Sequence, residues 1–135
     1  MTDLELQDEV RGRIFARLVA AGIRKIDIEA FELFEELEKP GPEKKFEDLF
    51  CDMIEWLEAE GLLRCGGLAG SALGLTTAHS CQVSSLGLAL ADQPFGQGGM
   101  TATEVAKGAS TDGTDAYAKL GAFIGTAAGK FLSSL

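Results

Sequence analysis

Cationic side chains, histidine and long uncharged apolar runs are all scarce in this chain, and each scarcity removes a class of function. Lysine and arginine number 12 against 21 aspartates and glutamates, a formal net charge of −9. A surface of that sign repels phosphate backbones, because nucleic-acid affinity comes mainly from cations that displace counterions. The single histidine, His79, rules out a multi-histidine metal site, and in its glycine-rich stretch it reads as solvent-exposed. The three cysteines, Cys51, Cys65 and Cys81, include no CxxC pair. Their odd number argues against a disulfide framework, and they lack the spacing of a zinc finger. In the most apolar segment, Lys119 and Lys130 bound an uncharged stretch from Leu120 to Gly129. That is far short of the roughly 20 residues a membrane-spanning helix needs. The charged N-terminus carries no apolar core followed by a small-residue cleavage site. A protein of the reducing cytoplasm is the expectation.

What is present is segregated charge. Residues 95–135 balance Lys107, Lys119 and Lys130 against Glu104, Asp112 and Asp115, so the whole net charge lies in residues 1–94. Within that part Arg11, Arg13, Arg17, Arg24 and Lys25 form a basic block, and Asp27 to Glu60 is strongly acidic. The acidic residues are spaced like a solvated helix surface, with no pair set in apolar surroundings for acid–base work. "GGLAGSALG" lacks the Lys-Ser/Thr of a phosphate loop and opens no helix. No catalytic, cofactor-binding or metal-binding residue is assigned, no cofactor is expected, and the chain does not read as an enzyme.

Hydrophobic spacing predicts a helix over 3–21, with Leu6, Val10, Ile14 and Leu18 four apart, flanked by Phe15 and Val19. Gly22 stops it. "IRKID" is a short extended piece in which Asp27 is placed to cap a helix over 28–38. That helix has an expected apolar face of Ile28, Phe31, Phe34 and Leu37. "KPGP" breaks it. Glu43 to Glu60 carries the clearest stripe, Phe46, Leu49, Phe50, Met53, Trp56 and Leu57, and Gly61 ends it at the C′ position. "LLRC" and "CQVSS" read as strands around a glycine-rich loop, and 85–93 as a short helix.

The residues "WLEAEGLLR" (Trp56 to Arg64) and "QVSSLGLALAD" (Gln82 to Asp92) carry a resemblance. Leu57, Gly61, Leu62 and Leu63 fill the pattern of a helix feeding a first wing strand. Val83, Ser84, Gly87 and Leu90 fill that of the helix after the second. Over residues 3–93 the chain resembles the winged helix-turn-helix superfamily. The resemblance implies a mainly α fold with a small β-hairpin and a DNA-reading face on the third helix and wing. Here that helix offers Lys44, Lys45, Glu47, Asp48, Cys51, Asp52, Glu55 and Glu58, and the wing has no Lys or Arg between Gly66 and Ser80. For DNA the remaining phosphate contacts would be Arg11, Arg13, Arg17, Lys44 and Lys45. Their alternative role is to pair with the acidic helices.

The expected organisation is a winged-helix-like domain over 1–94, a flexible Gly/Ser/Thr linker over 95–113 and a C-terminal helix over 114–135. Gly121, Gly125 and Gly129 lie four apart on that helix. Small residues at this spacing let two helix backbones approach closely. The face Tyr117, Leu120, Gly121, Ile124, Gly125, Ala128 and Gly129 is expected to pair with a second copy or another protein. A helix folded back on its own domain, or resting on a membrane surface, are the alternatives. Function is expected to be protein–protein interaction or self-assembly, with a winged-helix DNA-binding regulator as the alternative.

Overall fold

The computed structural model describes residues 3–70, 75–96, 98–108 and 113–133, the side chains of 113–114 and 128–133 excepted. The elements are α1 (Asp3–Ala21), β1 (Ile26–Glu29), α2 (Ala30–Glu36), α3 (Glu43–Ala59), β2 (Leu63–Arg64), β3 (Gly67–Gly70), β4 (Thr76–Val83), α4 (Ser85–Ala91), α5 (Ala102–Ala106) and α6 (Gly113–Ser133). The fold is mainly α with a small antiparallel sheet.

Strand β4 is the centre of that sheet. On one edge β1 pairs with it, setting Ile28 against Ala78; on the other, β2 and β3 keep one register, Leu63↔Val83 to Gly70↔Thr76, interrupted at Cys65 and Gly66. Helices α1, α2 and α3 cover the sheet's apolar side. Phe15, Phe46, Phe50, Ile54, Leu57 and Leu63 are fully or almost fully buried there, and Phe34 meets Phe46 edge to face at 5.4 Å. The glycine stops have their expected geometry. Gly22 takes φ 63° and Gly61 takes φ 78°, a left-handed conformation that costs glycine nothing.

The start of α4 explains its sequence pattern in physical terms. Ser84 caps the helix by accepting from the Gly87 amide at 3.0 Å. A Cβ on Gly87 would stand 2.6 Å from the Leu62 carbonyl oxygen. Only glycine lets the helix sit that close to the chain entering β2.

Several expectations are corrected. In α2 the buried side chains are Ala30 and Leu33, followed by Leu37, whereas Phe31 is 37% exposed. The helix starts two residues later than its spacing suggests, which turns Phe31 outward. Asp27 does not cap α2, which has no side-chain cap; its carboxylate accepts from the Ser80 amide at 3.0 Å. Part of the glycine-rich loop is β3, and β4 begins at Thr76 rather than Cys81, so His79 lies on a strand.

The largest correction concerns 95–113 and the helix after it. The segment is not a linker throughout. Phe95 is buried, and its amide donates to the Met100 carbonyl at 2.7 Å. Thr101 and Glu104 form a reciprocal capping box that starts α5, whose Ala102 and Val105 are buried. Helix α6 then packs along α1 instead of standing apart. Leu120 and Ile124 join the main core, so the described residues make one folded unit in place of a domain plus an appended helix.

Candidate functional site

The glycine face of α6 is occupied by the chain's own first helix. A methyl at Gly121 would overlap the Asp8 carbonyl, and one at Gly12 would overlap the Tyr117 carbonyl. The two glycines thus form reciprocal notches where the α1 and α6 backbones nearly touch. A Cβ added at Gly125 would stand 2.7 Å from Arg11 Nη1, at the end of that side chain. Of the seven residues expected to face a partner, Leu120 and Ile124 are fully buried in the core, Gly121 is buried, Tyr117 is half-buried and Gly125 is exposed. Ala128 and Gly129 fall outside the described side chains. Glycines four apart serve here as an intramolecular helix crossing.

Three of the five cations offered for DNA, Arg11, Arg13 and Arg17, are drawn into the fold, and Lys44 and Lys45 are exposed. Arg11 Nη1 donates to Asp8 at 3.0 Å and to the Gly121 carbonyl at 3.1 Å, and its guanidinium lies 4.8 Å from the centre of the Trp56 ring. Arg13 reaches Glu9 at 2.7 Å and Glu36 at 3.3 Å, stacked 4.5 Å from the Tyr117 ring centre. Arg17 bonds Glu32 at 3.1 Å and also Glu36. Burial weakens the Arg17 guanidinium's hold on its proton, but the bond to Glu32 and the field of Glu36 outweigh it, and its pKa stands above the ordinary value. Lys44 is directed at Asp48 (3.2 Å) and Glu47 (3.8 Å) of its own helix. Lys45 is exposed beside it. The three arginines therefore face the acidic helix α2 and the aromatic rings of α3 and α6, joining α1 to its neighbours.

On the hairpin, His79 is partly exposed and its Nδ1 lies 3.6 Å from Asp27. The exposed side of α3 carries Asp48, Asp52, Glu55 and Glu58, which leaves that surface acidic.

The outward side of α6 carries a feature that the sequence did not mark. A groove of about 970 Å³ lies between α6 and the turn from Phe95 to Met100. Phe95 and Phe123 stack along it, ring centres 5.4 Å apart and planes 19° from parallel. Met100, Ala116 and Ala122 add hydrocarbon, and Asp115 and Lys119, paired at 2.8 Å, add one charge of each sign. Thr126 also lines it, with its hydroxyl donating to the Ala122 carbonyl at 3.2 Å. The site depends on the turn folding against α6, which hydrophobic spacing along either segment does not reveal. Among the described residues no helix is long and apolar enough to cross a membrane. No protein-family model matches the chain, and neither a curated protein nor a solved structure is detectably similar to it.

Proposed function

We propose that this chain is a non-enzymatic assembly module that pairs with a second copy of itself through the outer side of α6 and the Phe95–Met100 turn. The apolar groove between them carries the reading. Charge supports it in two ways. The net charge of −9 resides in residues 1–94, so two copies repel wherever those surfaces meet and approach most easily on the balanced α6 side. A two-fold interface must also be self-complementary. Asp115 and Lys119 at the groove allow each acid to face the other copy's base. The exposed Ala122 and Thr126, both small and both lining the groove, let a second helix lie close.

The test is absolute mass in solution by light scattering after gel filtration, on the full chain and on Ala122→Arg. Ala122 is exposed, so the substitution leaves the fold intact while placing bulk and charge in the groove. The full chain is expected to run as a dimer and Ala122→Arg as a monomer with an unchanged melting temperature. A full chain monomeric at every concentration, or a variant that still pairs, overturns the reading.

A second reading, a winged-helix DNA-binding regulator, has the strand order in its favour: β4 lies between β1 and β2, and three helices precede β2. The charge placement opposes it. No duplex binding is expected even at low salt. Binding with a steep salt dependence, lost on Lys44→Glu/Lys45→Glu, would replace assembly with regulation.

A further inference from the structure

Two of the three cysteines face one another across the hairpin. Strands β2 and β3 share one register against β4, with Leu63 opposite Val83, Arg64 opposite Gln82 and Gly67 opposite His79. Carrying it from Arg64 to the next residue sets Cys65 opposite Cys81. The Ser84 amide donates to the Leu62 carbonyl at 3.0 Å, so hydrogen-bonded and open pairs alternate from there and Cys65/Cys81 falls on an open pair, just before the ladder is interrupted where the Gly66 amide bonds the His79 carbonyl at 2.8 Å and Ser80 takes φ 53°. Opposed Cα atoms at open positions stand about 4.5 Å apart with their side chains close. A disulfide spans Cα separations of roughly 4.4–6.8 Å. The alternation of burial agrees: Leu63 and Val83 point into the core, Arg64 is exposed, and Cys81 is fully buried. Cys65 is half-buried, within reach of the Gly67 amide at 3.4 Å, and lies on the solvent side of the pair. Cys51 sits apart on α3. Among the described residues no three His, Cys, Asp or Glu side chains gather to hold a metal ion.

We infer that Cys65 and Cys81 form an oxidisable dithiol, which a small-molecule disulfide converts to an intramolecular bridge pinning the root of the hairpin to the central strand. The Cys65 thiolate attacks one sulfur of the small disulfide, whose S–S bond breaks. The departing thiolate takes up the proton that Cys65 lost. Cys81 then attacks the Cys65 sulfur of the mixed disulfide, and the second small thiolate leaves with the Cys81 proton. Two protein thiols are oxidised by two electrons, and one small disulfide is reduced to two thiols. The first step belongs to the more accessible thiol. Closure is slower, because burial, and then the field and hydrogen bond of Cys65, push the Cys81 thiol up to about 12. Capping Cys65 removes the second of these contributions.

The test uses the full chain, reduced, freed of reductant and exposed to oxidised glutathione. Remaining thiols are trapped with a maleimide and the peptides mapped by mass. The expected product is lighter by two hydrogens, with Cys65 linked to Cys81 and the maleimide on Cys51. It should melt about 10 °C above the reduced protein, as closing a loop of this length constrains the unfolded chain. Cys51→Ala is expected to behave identically, and Cys65→Ser to form no internal link. A glutathione adduct that persists on Cys65, a bridge that uses Cys51, a covalent dimer, or an oxidised form that melts below the reduced one each overturns the inference.

Discussion

Gly121→Ala is expected to cost roughly 3 kcal/mol or more of stability, which lowers the melting temperature by about 10 °C. The reason is backbone against backbone. The added methyl would overlap the Asp8 carbonyl, and neither α1 nor α6 can yield locally, since each is held in register by its own hydrogen bonds. The helices must separate, which opens the contacts of Leu120 and Ile124 with the core. Gly12→Ala is expected to do the same through the Tyr117 carbonyl. Gly125→Ala is the internal control. Its methyl meets only the end of Arg11, a flexible side chain, so the expected change is within about 1 kcal/mol once the gain in helix propensity is included. Thermal and urea unfolding of the three variants decide the matter. Equal effects at Gly121 and Gly125 would mean that the α1/α6 crossing is not where the structure has it.

Arg13→Met is the second large effect, expected at about 3–5 kcal/mol. Glu9 is only 1% exposed, and its Oε2 accepts from Arg13 Nε at 2.7 Å. Removing the guanidinium leaves a carboxylate deep between helices without that partner, and a buried charge stripped of its counter-charge is far costlier than the pair itself. Glu9→Leu/Arg13→Met together should therefore recover most of the loss, to within about 1–2 kcal/mol of the natural chain. Arg17→Ala offers the contrast. Its partners Glu32 and Glu36 are substantially exposed, and pairs of that kind are worth about 0–1 kcal/mol each. Urea unfolding of the natural chain, Glu9→Leu, Arg13→Met and the double variant gives the coupling energy directly. Single and double variants that add independently would show that Glu9 and Arg13 do not act as a pair.

Those two sites also show what could be read in advance. The stripe on α3 was legible because one face of a long helix is buried and the other solvated, the condition under which period alone suffices. Gly22 and Gly61 were legible because a left-handed residue at a helix end calls for glycine. α1 was only half legible. It is buried on two sides, and its second side holds Glu9, Gly12 and Ala16, none of which a hydrophobic pattern marks. Gly12 was the available signal, a mid-helix glycine on one helix answering Gly121 on another. Thr101 and Glu104 were another, since a capping box is visible as two residues three apart. β3 was hidden because "GLAG" has almost no side chains to alternate. The groove beside α6 and the Cys65–Cys81 pairing lay beyond any local pattern, because each depends on how distant segments register.

The α1/α6 seam joins the two ends of the described fold. Gly12 meets Tyr117, and Arg11 meets Gly121, so the contacts that complete the core have nearly the greatest sequence separation this chain allows. Loop-closure entropy must be met before such contacts contribute. During synthesis α1 therefore emerges with one side able to pack on the early strands and helices, while its Gly12 side waits for α6 to leave the ribosome. Until then Arg11 lacks the Gly121 carbonyl and Arg13 lacks the Tyr117 ring, and α1 shows a notched surface that the finished protein conceals. The nascent chain thus carries at Gly12 an open notch that ceases to exist once the Tyr117 carbonyl settles into it.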